Sequence, residues 1–89
     1  MIHELKTLPY HFTMMFAGTK TFEVRKNDRN FKLNDELLLK EFIPQMVSDK
    51  DSNHGKYTGR ILHRKIVYIL NGGQFGIEEG YCVMSLHTL

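Results

Sequence analysis

Cysteine is nearly absent from this chain. Cys82 stands alone, so no internal disulfide can form and no cysteine-built zinc cage is available. Long apolar runs are missing too. Nowhere do about eighteen apolar residues follow one another, and Met1 to Pro9 holds no basic segment leading into an apolar one. Neither a membrane helix nor a secretion signal is therefore expected, and the reading is a cytoplasmic protein. Excess charge is lacking as well. A formal net charge of +2 argues against a histone-like binder that works by charge alone, while a pI near 8.8 leaves room for one basic face. The five histidines form no His-x-x-x-His pair. His3, His63 and His87 fall on separate expected strands, so no metal is expected. The glycine-rich stretch Asn71 to Gly76 has no Lys-Ser/Thr pair of a phosphate loop and no dinucleotide-binding pattern, so it reads as a turn and no cofactor is expected.

What is present is enough for one small core. The chain has 89 residues, 42% of them hydrophobic and ten aromatic. A chain of that length buries roughly 60% of the surface its unfolded form exposes, so residues 1–89 read as a single domain. Ile2 to Lys6 alternates apolar and polar residues as a strand does. Pro9 then opens a helix at a position where its missing N–H costs little. Leu8, Phe12, Met15 and Phe16 follow helical spacing, and Gly18 is the expected left-handed residue after the helix. Thr21 to Arg25 reads as a second strand with Phe22 and Val24 turned to the core and Thr21, Glu23 and Arg25 turned away. Asn27 to Asn30 and Leu33 to Asp35 are turns, Glu36 to Ile43 is a strand, and Pro44 ends it. Gln45 to Gly59 carries no periodic pattern and is expected to be an exposed loop. Arg60 to Leu70 and Tyr81 to His87 supply the last strands, and Cys82 reads as a buried, inert thiol. The expected fold class is α+β, mainly β: a small barrel of about five or six strands with one main short helix.

Charge is not spread evenly over this plan. Between Lys20 and Lys32 five basic residues, Lys20, Arg25, Lys26, Arg29 and Lys32, stand against Glu23 and Asp28. That is a local +3, which leaves the rest of the chain at −1. A concentration of this kind beside a glycine turn points to a surface that meets phosphate or another anion. Arg60 and the cluster His63, Arg64 and Lys65 carry further positive charge on the long strand. Tyr10, Phe31, Tyr57, Tyr68 and Tyr81 are the aromatics available to stack on unpaired bases.

These residues also carry a resemblance. Gly18, Lys20, Glu23 and Arg25 form a Gly-x-Lys-x-x-Glu-x-Arg motif after a proline-started helix. It is followed by Asn27-Asp28-Arg29, Tyr57-Thr58-Gly59-Arg60, Tyr68 to Gly73 and Glu79-Gly80-Tyr81. This order resembles the ASCH (activating-signal-cointegrator homology) superfamily, and within it a small stand-alone bacterial and phage family of unknown function. The resemblance spans nearly the whole chain and implies a PUA-like β-barrel and, by analogy, RNA binding. Some ASCH proteins are amidohydrolases acting on an acylated cytidine. They carry Lys at the position of Lys20 and Thr where this chain has Glu23, and use a downstream acid, for which Glu78 and Glu79 are candidates only by their nature.

The leading expectation is thus an RNA- or nucleotide-binding module using Lys20, Glu23, Arg25, Lys26, Arg29, Arg60 and Arg64. The first alternative is an amidohydrolase-like enzyme on a modified nucleoside, with Lys20 as base or nucleophile and Glu23 relaying a proton. The second is an accessory factor that docks a protein partner through the basic strand. A plain surface ion pair of little energetic weight is the bland account of Lys20, Glu23 and Arg25.

Overall fold

A computed structural model describes residues 1–44 and 55–89 of the chain. The elements are β1 (Ile2–Thr7), α1 (Pro9–Phe16), β2 (Phe22–Lys26), β3 (Glu36–Ile43), β4 (Lys56–Asn71) and β5 (Tyr81–Thr88). The five strands form one sheet in the order β1-β3-β4-β5-β2, curled into a half-barrel. β1 runs parallel to β3, and the other neighbours are antiparallel. Register shifts between Lys40 and Phe42 on β3 and between Ile66 and Tyr68 on β4 mark where the ladder bulges, which adds local twist. β1 and β2 are the two edges of the sheet.

The period of two along each strand sets the core. Leu5 on β1, Leu37 and Leu39 on β3, Ile66 on β4, and Cys82, Met84 and Leu86 on β5 are buried together with Phe31 and with Met15 from α1. Full burial of such side chains contributes about 1.5–3 kcal/mol each relative to exposure. Burial of Cys82 pushes its thiol pKa up, as expected of an inert core residue. α1 places Phe12 and Met15 inward. Leu8 and Phe16, expected on the same face, are instead exposed, because a helix of two turns has room for only one buried stripe. Gly18 ends the helix in the left-handed region at φ 81°. Its amide donates to the Met15 carbonyl and that of Thr19 to the Met14 carbonyl, the paired bonds of a Schellman ending.

Two further expectations need correction. Phe22 and Val24 do not face the core: both are exposed, and Glu23 between them is buried. The reason is the register, which sets Glu23 opposite Met84 and Arg25 opposite Cys82, so the polar face of β2 shares the side of the sheet that holds the core. The long strand begins at Lys56 rather than Arg60, so the end of the expected 45–59 loop is strand. The part of that loop at 45–54 lies outside the described residues.

Both ends of the core are polar. At one end Asp35 is buried and accepts hydrogen bonds from His3 Nε2 at 2.8 Å, from the Lys32 amide at 3.1 Å and from the Met1 amino group at 3.2 Å. The His3 bond is the main cause that holds the Asp35 carboxyl below its ordinary 3.8; burial opposes it, and the other donors reinforce it. The Asp35 carbonyl also accepts from the Ile66 amide at 2.8 Å, so one residue ties β1, β3 and β4 together. A carboxyl with a lowered folded pKa adds stability that is complete above its unfolded value and is lost as pH falls through its folded value. Chemical denaturation between pH 7 and 2 is therefore expected to show stability dropping below pH 3.8. Asp35→Asn is expected to cost about 1.5–3 kcal/mol at neutral pH and to flatten that acid limb. An unchanged acid limb in Asp35→Asn contradicts the assignment.

The β4–β5 connection contains a strained turn. The Ile77 amide donates to the Gln74 carbonyl at 2.9 Å, with φ 52° at Phe75 and 77° at Gly76. Positive φ at both central residues matches a type I′ turn, which favours Asn or Gly at the first of them. Phe75 occupies it while 84% exposed, so no burial offsets the left-handed backbone. At Gly72 nearby, any side chain would run into the Glu78 carbonyl. Phe75→Asn is expected to raise stability by about 1 kcal/mol, or about 4–8 °C in Tm. A calorimetric Tm equal to or below wild type counts against the strain.

Candidate functional site

The half-barrel fails to close between its edges, and side chains bridge the gap. Arg25 Nη2 donates to the Lys6 carbonyl at 2.6 Å, and Arg29 Nη1 donates to the Glu4 carbonyl at 2.6 Å. Two arginines on the β2 side thus satisfy carbonyls of edge strand β1 that no strand pairs. Arg25 is held in turn by Glu23, whose Oε2 accepts from Arg25 Nε at 2.7 Å and whose Oε1 accepts from Lys20 Nζ at 3.2 Å. Glu23 is 3% exposed. Lys20 reaches it because the Schellman ending of α1 turns the chain back toward β2. A carboxylate taken out of water in this way depends on its cations, and removing one partner of a buried pair costs about 3–5 kcal/mol. The group is therefore more than a surface ion pair.

A cleft of about 590 Å³ opens along this seam. Thr7, Tyr10 and His11 form one wall, at the junction of β1 with α1; Phe22, Glu23 and Arg25 form the other, on β2. Its volume lies in the range of small-ligand sites. Leu8, Tyr10 and Met14, with Phe22 and Val24 turned away from the core, make its lining largely apolar. Tyr10 is 70% exposed at its edge, with its ring set edge-on to His11 at 5.7 Å. A second cleft of about 320 Å³ continues past Arg25, lined by Lys26, Asp28, Arg29 and Tyr81. The two share Val24 and Arg25, so they follow one another along the same seam.

Of the residues singled out in the sequence, Lys20, Glu23, Arg25, Lys26 and Arg29 come together on the seam. Arg60 and Arg64 line neither cleft. The Arg60 guanidinium lies 4.8 Å over the Phe12 ring and 3.7 Å from Glu41, while Arg64 points its Nη1 at the His63 carbonyl and its Nη2 at the Met15 carbonyl. Among the stacking candidates, Tyr10 and Tyr81 are exposed at the clefts, while Phe31 lines the second cleft from within the core. Tyr57 packs against Phe42 at 5.0 Å, and Tyr68 is exposed on the sheet. His3 and His63 bind different carboxylates, Asp35 and Glu36. Among the described residues no group of three or more His, Cys, Asp or Glu side chains is placed to hold a metal.

Sequence reasoning missed Thr7 and His11. Thr7 is 2% exposed, and its Oγ1 is a buried side-chain atom with no hydrogen-bond partner among the described residues. Leaving such a hydroxyl unpaired costs about 1–3 kcal/mol. The signal available was Thr7-Leu8-Pro9, a polar residue at a strand end just ahead of a proline-started helix. No helix of the described residues is long and apolar enough to cross a membrane.

The chain is 34% identical over 65 residues to an uncharacterized 12.9 kDa protein from the GpA 3′ region of Escherichia phage P2. The match takes in 73% of this chain and 50% of the phage protein, so the chain spans about half the length of the curated relative it matches. Residues 2–86 match the family described as Domain of unknown function (DUF3850), and by that near-complete coverage the chain belongs to the DUF3850 family.

Proposed function

We propose that the seam between β1 and β2 is a binding cleft for RNA or a nucleotide. The observation that carries this reading is the alignment of two consecutive clefts along one unclosed edge, with Lys20, Arg25, Lys26 and Arg29 beside them and Tyr10 and Tyr81 exposed at the lining. Cations spaced along a groove meet successive phosphates, and exposed rings stack on bases without needing a particular sequence. The resemblance to ASCH domains, and through them to PUA-like RNA-binding barrels, supports the same reading. The geometry of Glu23 favours binding over proton relay: both of its oxygens are engaged by Lys20 and Arg25, which makes it the counter-ion that positions the two cations.

The test is fluorescence anisotropy of a labelled mixed-sequence single-stranded RNA at about 50 and 200 mM salt. With three phosphates neutralised, affinity is expected to fall roughly 20-fold across that range. Lys26 is exposed and makes no ion pair among the described residues, so Lys26→Ala leaves the fold intact. It is expected to reduce that salt effect to roughly 7-fold by removing one phosphate contact. Lys20→Ala is expected to weaken binding as well, read at a temperature where circular dichroism shows the variant folded, since it removes one cation of buried Glu23. Binding that ignores salt, or no saturable binding, overturns the reading.

A further inference from the structure

The wall of the larger cleft formed by the β1–α1 junction holds hydrogen-bond donors that nothing in the fold uses. Pro9, at the first helical position, has no N–H, and Leu8 at the N-cap has no side chain able to cap. The amides of Tyr10 and His11 have no acceptor among the described residues. The first turn also carries no acidic residue, so the positive end of the helix is uncompensated. Uncapped first turns facing water are common and prove little. What distinguishes this one is Thr7, the residue ahead of the N-cap. It lines the same cleft, is 98% buried, and keeps its hydroxyl without a partner.

A valine has the shape of threonine and would fill this position without an unpaired oxygen. Retaining the hydroxyl, in a cleft that the residues of two free amides also line, makes sense if an acceptor arrives from outside. The charge of the opposite wall selects the kind of acceptor. Lys20 and Arg25 bring two positive charges against the single negative charge of Glu23, so the cleft holds a net positive group facing the helix start. An acceptor that can take three donors and answer a positive wall is a phosphate with several free oxygens.

We propose that the corner formed by Thr7 Oγ1 and the Tyr10 and His11 amides is the subsite for a terminal phosphate monoester, the 5′-phosphate of a nucleotide or of an RNA end. An internal phosphodiester offers only two unesterified oxygens, whereas a monoester offers three and carries more charge. This rests on the reading of the seam as a nucleotide or RNA cleft and assigns the direction in which such a ligand lies. The phosphate occupies the α1 end, and the remainder runs past Arg25 toward Lys26 and Tyr81.

The experiment compares one RNA sequence with a 5′-phosphate and with a 5′-hydroxyl, by anisotropy, against wild type, Thr7→Val and Thr7→Ser. Inorganic phosphate, a nucleoside 5′-monophosphate and the parent nucleoside are titrated in parallel while the Tyr10 and His11 amide resonances are followed. Wild type is expected to prefer the phosphorylated RNA by roughly tenfold. Thr7→Val is expected to lose that preference with a Tm at or above wild type, and Thr7→Ser to retain it. The monophosphate is expected to move both amide resonances and the nucleoside to leave them in place. Equal affinity for the two RNAs, with the amides unmoved by monophosphate, overturns this proposal and leaves the cleft reading standing. Binding of neither RNA, together with still amides, overturns both. Movement by inorganic phosphate only, without nucleotide preference, reduces the corner to a general anion site and overturns the assignment to a nucleotide end.

Discussion

The structure depends on how an unclosed sheet is held at its two edges. β1 and β2, the two edges of the sheet, share no ladder, and an open edge leaves carbonyls without partners. Arg25 and Arg29 supply those partners from the side, at 2.6 Å each, while Glu23 holds Arg25 in place and Lys20 completes the charge balance. A ladder would have sealed the barrel with backbone atoms. Stitching with side chains instead leaves room between the edges, and the clefts are that room. The positive charge beside them follows from the same solution, since guanidinium groups are what bridge the gap.

The polar ends of the core show a related trade. His3 and Asp35 are buried at one end, Thr7 and Glu41 at the other, with the apolar residues between them. Asp35 is fully engaged and anchors three strands. Glu41 accepts from Thr58 at 2.7 Å and lies near Arg60. Thr7, paired with Glu41 across β1 and β3, is alone in having an orphaned hydroxyl among the described residues. Satisfied polar groups fix the fold, and one left unsatisfied beside a cleft marks where the fold gives up stability. Phe75 is a second place of that kind, a bulky residue in a turn position made for Asn or Gly.

Local signals in the sequence were legible because they act over a few residues. Pro9 starts α1 and Gly18 ends it, each through its own backbone geometry, and burial along β3 alternates from Leu37 to Glu41. The half-barrel architecture, mainly β with one short helix, follows from that succession of short strands and turns. The charge concentration from Lys20 to Lys32 takes in the edge strand β2. The orientation of β2 was not legible. Alternation reveals a period of two but not which half of it faces inward, and the usual rule that the apolar half does so fails on an edge strand whose buried carboxylate has cations three residues before and two residues after it. Arg60 and Arg64 could not be separated from the seam arginines by type or neighbourhood, because only the path of β4 carries them to the other side of α1.

By itself, then, the sequence determined the elements, their boundaries to within a few residues, and the presence of a motif rich in paired charges. Those properties arise from short-range sterics, capping and periodicity. The tertiary structure decided that β1 and β2 remain unpaired, that Glu23 lies inside while Phe22 and Val24 line a cleft, and that Thr7 is left with an unused hydroxyl. Each of these depends on the register between strands distant in sequence, where a shift of one residue exchanges the two faces of a strand and no local preference is strong enough to choose.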